Sequence, residues 1–316
     1  IAAAENNVPI MVVVSDSTST AKIAPFQEKF PDRIVNVGIA EQDLVGIAAG
    51  LSLGGFVAVT ANAACFLIAR ANEQVKNDVC YSDTNVKLIG LNAGVCYGAL
   101  ASTHHAIEDI SVMRAFGNIQ ILAPSDPIEA AQIFNHALEH VGPVYIRMDS
   151  DKFPIIHDEK YHFIPGKADV LRAGKDITIF AMGSTVFEAF YAAEQLAADG
   201  VSVELVNISS IRPLDRKQIV ESASKTKKVI TVEEHCTHGG IGSIVCEIVA
   251  EEGIAAKVTR LGITEGLFSK AGPRKDIRAY YKIDQKGIVE TAERLLSGQM
   301  YEVMGKPVQR NYEYER

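Results

Sequence analysis

Short apolar runs alternate along this chain with segments whose apolar residues recur at helical spacing. MVVVS from Met11, FVAVT from Phe56, VKLIGL from Val86, IQILA from Ile119 and PVYIRM from Pro143 read as strands. Between them, Glu41–Leu53, Phe66–Lys76, Ala106–Ala115 and Ile128–Leu138 read as helices. Pro124-Ser125-Asp126-Pro127 supplies the start of the last of these, with Ser or Asp as N-cap and Pro in the first turn. Such β–α alternation with short connections predicts a parallel sheet covered by helices on both faces.

The pattern stops at Asp149–Pro165, which is polar and lacks a helical period, and then resumes. ITIFAM (from Ile177), SVELVNI (from Ser202), KKVITVEE (from Lys227) and KVTRLGI (from Lys257) are the strands of a second unit, and Asp284–Leu296 is its last helix. The expectation is therefore an α/β protein with two domains, each a mainly parallel sheet flanked by helices. The first domain spans 1–148, a linker 149–166, and the second domain 167–316. The length of 316 residues suits two domains of ordinary size.

Composition narrows the function. Charged residues make up 22% and the net charge is -8, with both signs interspersed, so disorder and nucleic-acid binding are disfavoured. Five cysteines without a C-x-x-C motif read as reduced thiols in a cytoplasmic protein. The apolar stretches fall short of a membrane span. IAAAENNVP lacks the charge and apolar core of a signal peptide, and without an initiating Met a few preceding residues are expected.

The most specific string is NVGIAEQDLVGIAAG, Asn36 to Gly50. A strand ends at Val37, Gly38 turns, and Glu41 opens an apolar helix. A glutamate there is already favoured by the helix dipole, by about 0.3–1 kcal/mol. Ile39, Ala40, Leu44 and Val45 would surround its carboxyl with apolar groups, so a raised pKa and a general-acid role are expected. Phe66 alone reads as a core aromatic. His104 and His105 with Glu108 lack the further ligands of a metal site. Gly239-Gly240-Ile241-Gly242 opens a helix and could cradle an anion, but a lone glycine cluster reads better as close helix–sheet packing.

The Asn36–Gly50 string resembles the pyrimidine-binding domain of transketolase and related thiamine diphosphate enzymes. FQEKFPDRIVNVGIAEQ, RANEQVKN at Arg70, THHAIEDISVMRAF at Thr103 and ILAPSD at Ile121 follow at similar spacings, and VEEHCTHGGIGS at Val232 resembles the transketolase C-terminal domain. The resemblance runs from Val12 to Leu296. It implies that Glu41 hydrogen-bonds a ring nitrogen of the cofactor's aminopyrimidine, so that the cofactor can attack a ketose carbonyl. A two-carbon ketol unit then passes to an aldose. It further implies that Asp16 lies close to the cofactor, Ile39 lines the pyrimidine pocket, Phe66 stacks on the aminopyrimidine and His104 contacts substrate and assists proton transfer. His105 stands where the family usually has Gln. The family's C-terminal domain is not catalytic, so His235, Cys236 and His238 are expected to be structural or regulatory.

The family anchors the cofactor's diphosphate through magnesium held by Gly-Asp-Gly and a later Asn. No Gly-Asp-Gly occurs here. The resemblance thus implies no metal ligands on this chain and a partner subunit carrying the diphosphate domain, in a two-plus-two heterotetramer.

Several substrate positions depart from the family. Asn92 replaces a substrate-binding His, Leu100 an Asp that reads a sugar hydroxyl, Ser150 an Arg that grips the sugar phosphate, and Thr20 a phosphate-contacting Ser. Ala63 replaces an aromatic residue beside the cofactor ring. The expected reading is the C-terminal section of a split transketolase with altered sugar specificity, for an unphosphorylated, sulfonated or branched ketose. The alternatives are the beta chain of a 2-oxoacid dehydrogenase, a deoxyxylulose-phosphate synthase and a non-catalytic transketolase-like scaffold.

Overall fold

The structure is a computed structural model that describes residues 1–16, 18–264 and 269–298. The part of the expected second domain beyond residue 298 lies outside the described residues. Two sheets organise the chain. The first contains β1 (Ile10–Val14), β2 (Ile34–Asn36), β3 (Val57–Ala63), β4 (Val86–Leu91), β5 (Gln120–Leu122) and β6 (Val144–Arg147). The second contains β7 (Asp169–Arg172), β8 (Ile177–Ala181), β9 (Val203–Asn207), β11 (Lys228–Cys236) and β12 (Lys257–Ile263) in the order β12-β11-β8-β9-β7. Neighbours among these strands are parallel except β7 with β9.

The remaining strand, β10 (Ser210–Arg212), follows β9 yet leaves its own sheet. It pairs antiparallel with β5, so the first sheet reads β10-β5-β6-β4-β3-β1-β2. The two domains are thereby joined by backbone hydrogen bonds as well as by packing. One apolar cluster holds Val13, Leu44, Val45 and Tyr145 of the first domain together with Phe180, Met182, Val206 and Ile241 of the second. Between β6 and β7 the chain forms no helix or strand.

The helix Glu41–Leu53 forms as its periodicity predicts, and it packs Leu44, Val45, Ala48 and Ala49 against the sheet. Burying a side chain such as Leu44 is worth roughly 1.5–3 kcal/mol. A charge at Leu44 would therefore lift the helix and Glu41 off the sheet together. The helix expected over Phe66–Lys76 is instead broken. Helix Ala64–Ala69 ends at Arg70, and a π-helical stretch covers Val75–Tyr81. The helix expected over Ala106–Ala115 is confined to Asp109–Arg114. Asp126, rather than Ser125, caps Pro127–Glu139, accepting the Glu129 N–H.

Candidate active site

In open parallel sheets, ligand crevices lie beyond the carboxyl ends of the strands. Nearly all the substrate and cofactor positions expected from the sequence fall there. Asp16 follows β1, Glu41 follows the turn after β2, Phe66 follows β3, Asn92 follows β4, and Ser150 follows β6. Two side chains lock the first of these ends together. Asn36 Oδ1 accepts the backbone N–H of Asp16 at 3.1 Å and of Gly38 at 3.0 Å. Ser15 Oγ accepts the Ala40 N–H at 3.2 Å. Gly38 has φ 72°, a conformation that a side chain would strain, and the turn there lets the chain double back into the helix.

Glu41 is 3% exposed. Its Oε1 accepts from Asn62 Nδ2 at 3.2 Å, and its Oε2 accepts from Arg70 Nη1 at 2.5 Å. Burial works to raise the carboxyl's pKa, but the hydrogen bonds from Arg70, the local backbone and Asn62 outweigh it. Glu41 is thus held below the ordinary glutamate range, which overturns the raised value expected from its apolar flanks. The expectation failed because Arg70 lies 29 residues away in sequence. Arg70 caps the end of the helix Ala64–Ala69, and its guanidinium also lies 4.8 Å from the centroid of the Phe66 ring.

The Phe66 ring is half-buried and meets the His104 ring edge-on at 5.1 Å. His104 also meets Tyr97 at 5.7 Å, and its Nδ1 is 2.9 Å from Thr103 Oγ1. Glu41, Arg70, Phe66 and His104 therefore form one continuous chain of contacts. Ile39 is 78% exposed and buries nothing within this chain of contacts. His105 does not join His104 in a metal-type arrangement. It is buried, with Nδ1 2.7 Å from Ser269 Oγ and Nε2 3.1 Å from Gly98 O.

A second group lies around Ser150. Its hydroxyl donates to Asn92 Oδ1, and Lys22 Nζ donates to the Ser150 carbonyl at 3.4 Å. Two of the positions that depart from the resemblance, Asn92 and Ser150, thus touch one another, and Lys22 is a cation at this end that no sequence motif marks. Leu100 is 51% exposed, on the turn of 3-10 helix Gly98–Thr103, next to Ala101 at φ 59°. Thr20 is half-buried, on the loop that leads to Lys22.

The second domain's candidate residues have other roles. Glu233 fills the glycine-rich helix start with its own carboxylate, accepting the Ile241 N–H at 2.8 Å and the Gly242 N–H at 2.9 Å. A Cβ on Gly240 would lie 1.9 Å from Glu233 Oε2, so this turn serves close packing. His235 is fully buried, and burial pushes its pKa down to about 4. Cys236 donates its backbone N–H to Ile107 O at 2.7 Å and so fastens β11 to the segment that follows His104. All five cysteines are free thiols. No described helix is long and apolar enough to cross a membrane.

Known proteins resemble this chain across both domains. Residues 1–154 match the family model of the transketolase pyrimidine binding domain, and residues 166–288 that of the transketolase C-terminal domain. An apulose-4-phosphate transketolase subunit of Actinobacillus succinogenes is 58% identical over 292 residues, covering 92% of this chain and 94% of that protein. The protein of the same description from Phocaeicola vulgatus is 37% identical over 90% of each chain. A solved structure described as a split gene transketolase, inactive beta4 tetramer, superposes with a TM-score of 0.83 at 35% identity, covering 94% of this chain and 95% of that one. Thiamine diphosphate dependence is typical of these domains. With both domains matched over most of its length, the chain belongs to the transketolase family.

Proposed function

We propose that this chain is the pyrimidine-domain subunit of a split transketolase that moves a two-carbon ketol unit from a branched ketose phosphate to an aldose. The observation that carries the proposal is the Glu41–Arg70–Phe66–His104 chain of contacts beside a sugar end in which Ser150, Asn92 and Lys22 stand together. Thiamine diphosphate, when bound, supplies the electron sink for carbon–carbon bond cleavage.

The residues fit its pyrimidine ring. Arg70 already holds a flat, N–H-bearing group against Phe66 and hydrogen-bonded to Glu41, so a planar heterocycle has both a stacking face and a carboxyl partner there. The Arg70 side chain is 45% exposed and can turn out toward water as the ring enters. Glu41 would then hydrogen-bond a ring nitrogen in place of the guanidinium. Losing Arg70's hydrogen bond would remove one of the contacts that hold the carboxyl's pKa down, leaving burial opposed only by Asn62 and the local backbone. Asn62 keeps the carboxyl oriented. Asp16 and the exposed Ile39 would border the cofactor, and the partner subunit would cover Ile39. His104, in contact with the Phe66 ring, would be the group to move a proton at the sugar's oxygen.

At the sugar end, Lys22 takes the place of the missing arginine as the phosphate's cation. A flexible ammonium recognises a phosphate as a point charge and does not impose the planar grip of Arg. Ser150 and Asn92 are smaller than the residues they replace, and Leu100 offers an apolar wall instead of a hydroxyl acceptor. Together they favour a branched carbon skeleton, as in the substrate named for the two relatives above. Magnesium and the diphosphate belong to the partner subunit, in a two-plus-two assembly.

The experiment that tests this assignment is calorimetric titration with thiamine diphosphate and magnesium. The isolated chain should show no micromolar binding, and a mixture with a diphosphate-domain subunit should show it and turn over the branched ketose phosphate. Micromolar binding by the chain alone overturns the split-site assignment.

A further inference from the structure

The second domain reaches the sugar end through Arg274 and Glu234. Arg274 opens the helix Arg274–Tyr280 and is 12% exposed. Its Nη1 donates to Asp149 Oδ1 at 2.9 Å and to Asp151 Oδ2 at 2.6 Å. Its Nη2 meets the other Asp149 oxygen and also donates to Glu234 Oε1 at 2.8 Å and Ser184 Oγ at 3.0 Å. The guanidinium therefore grips the two residues on either side of Ser150.

Glu234 carries the same grip to the loop that bears Asn92. It is 1% exposed, and its Oε1 accepts the Val95 N–H at 2.8 Å. Gly94, at φ 69°, is pressed so close that a Cβ would lie 2.5 Å from that oxygen. Arg278 donates to Glu234 Oε2 at 2.6 Å, completing the carboxylate's partners. Cys96, Asp149 and Asp151 converge as metal ligands might be arranged to do, but Arg274 already donates to both aspartates and supplies the positive charge there.

An exposed ion pair would contribute little. Here Arg274, Asp149 and Glu234 are largely buried, several donors of a planar fork are used, and the segment around Ser150 is tied to the second domain. Removing Arg274 leaves Asp149, Asp151 and Glu234 without their shared cation. We infer that Arg274 is a positioning residue of the sugar end: by fixing Asp149 and Asp151 and, through Glu234, Val95, it sets the hydrogen bond between Ser150 and Asn92 that the donor sugar meets. The inference rests on the donor-site assignment made above. Arg274 has no contact with Glu41, Phe66 or His104, so its loss should weaken sugar binding and spare the chemistry.

The test is R274Q in the complex reconstituted with a diphosphate-domain subunit. KM for the branched ketose phosphate should rise about tenfold with kcat within about threefold of wild type. R274K should be intermediate, since an ammonium cannot span both aspartates. D151N, at a half-exposed aspartate where folding is not at stake, should raise KM about threefold. A folded R274Q with wild-type KM, or with kcat lowered and KM unchanged, overturns the inference; if R274Q does not fold, an unchanged KM in D151N does so. If the wild-type complex turns over no ketose, the donor-site assignment fails instead. Amide hydrogen exchange on the purified D151N and R274Q chains then decides. Faster exchange at 92–98 and 149–154, with no change at 36–45, supports the positioning role, and unchanged exchange at the first two segments overturns it.

Discussion

At one end of the candidate site, Glu41 takes its side-chain partners, Asn62 and Arg70, from within the first domain, and the surfaces beside it are open: Ile39 faces outward, and Arg70 is half-exposed. At the other end, Ser150 and Asn92 are small residues bonded to each other, and the loops that carry them are held from the second domain by Arg274 and Glu234. The open surfaces of the first end are what the proposed cofactor and partner subunit would cover. The second is braced by the chain's own second domain. A site divided in this way can keep its chemistry constant while its sugar specificity changes, because the two sets of supporting contacts do not overlap.

The largest test of that division is Glu41→Ala in the reconstituted complex. Turnover should fall on the order of 10²–10⁴-fold, as for loss of a positioned acid–base group. A non-catalytic scaffold would lose nothing, so a loss below about tenfold would remove Glu41 from the chemistry.

Lys22→Met probes the other end. A charge-assisted contact is worth about 1.5–3 kcal/mol, so KM for a phosphorylated donor should rise roughly 10- to 150-fold. KM for the same sugar without its phosphate should not move. Equal effects on both sugars would show that Lys22 supports the loop rather than the phosphate.

His157 tests whether the linker below the sugar end is fixed by charge. Its ring is 2% exposed, with Nδ1 3.0 Å from Asp126 Oδ2 and Nε2 3.2 Å from Asp169 Oδ2. Burial opposes its charge, but Asp126 and Asp169 together push its pKa up to about 9. The folded value exceeds the unfolded value of about 6.5, so its stabilisation is fully present below about pH 6.5 and is lost as pH rises through about 9. Denaturant unfolding should show His157→Gln less stable than wild type by roughly 2–3 kcal/mol at pH 6, with the charge-linked part of that gap gone by pH 10. Comparing variant with wild type at each pH cancels Lys87. Burial lowers that lysine's pKa to about 7, and it titrates in the opposite sense. A gap that is the same at both pH values would mean that the ring serves by packing alone.

How much of this could be read from the sequence depends on the range of the interactions. The start of the helix at Glu41 and strands such as Val86–Leu91 and Lys257–Ile263 follow from local periodicity, and they match residue for residue. The candidate positions at strand ends followed from the motif. What escaped was set by partners distant in the chain. β10 leaves its own sheet because its partner β5 lies in the other domain, and no local pattern marks Ser210–Arg212 for that exchange. Glu41 looked apolar because its neighbours are, and Arg70 reverses the sign of its shift. Lys22 and Arg274 carried no motif. Lys22 comes near Ser150 only through the placement of β1 beside the central strands, and Arg274 only through the docking of the domains. A signal for Arg274 did exist in the pair of aspartates flanking Ser150, of which the largely buried Asp149 calls for a cationic partner.

The most direct measurement is the ratio of kcat/KM for apulose 4-phosphate to that for xylulose 5-phosphate, both with the same aldose acceptor, in the reconstituted complex. A retained cofactor end with a rebuilt sugar end predicts a ratio above about ten, since small differences in pocket contacts are worth about 1–3 kcal/mol. A ratio near or below one, with both sugars turned over well, would contradict it.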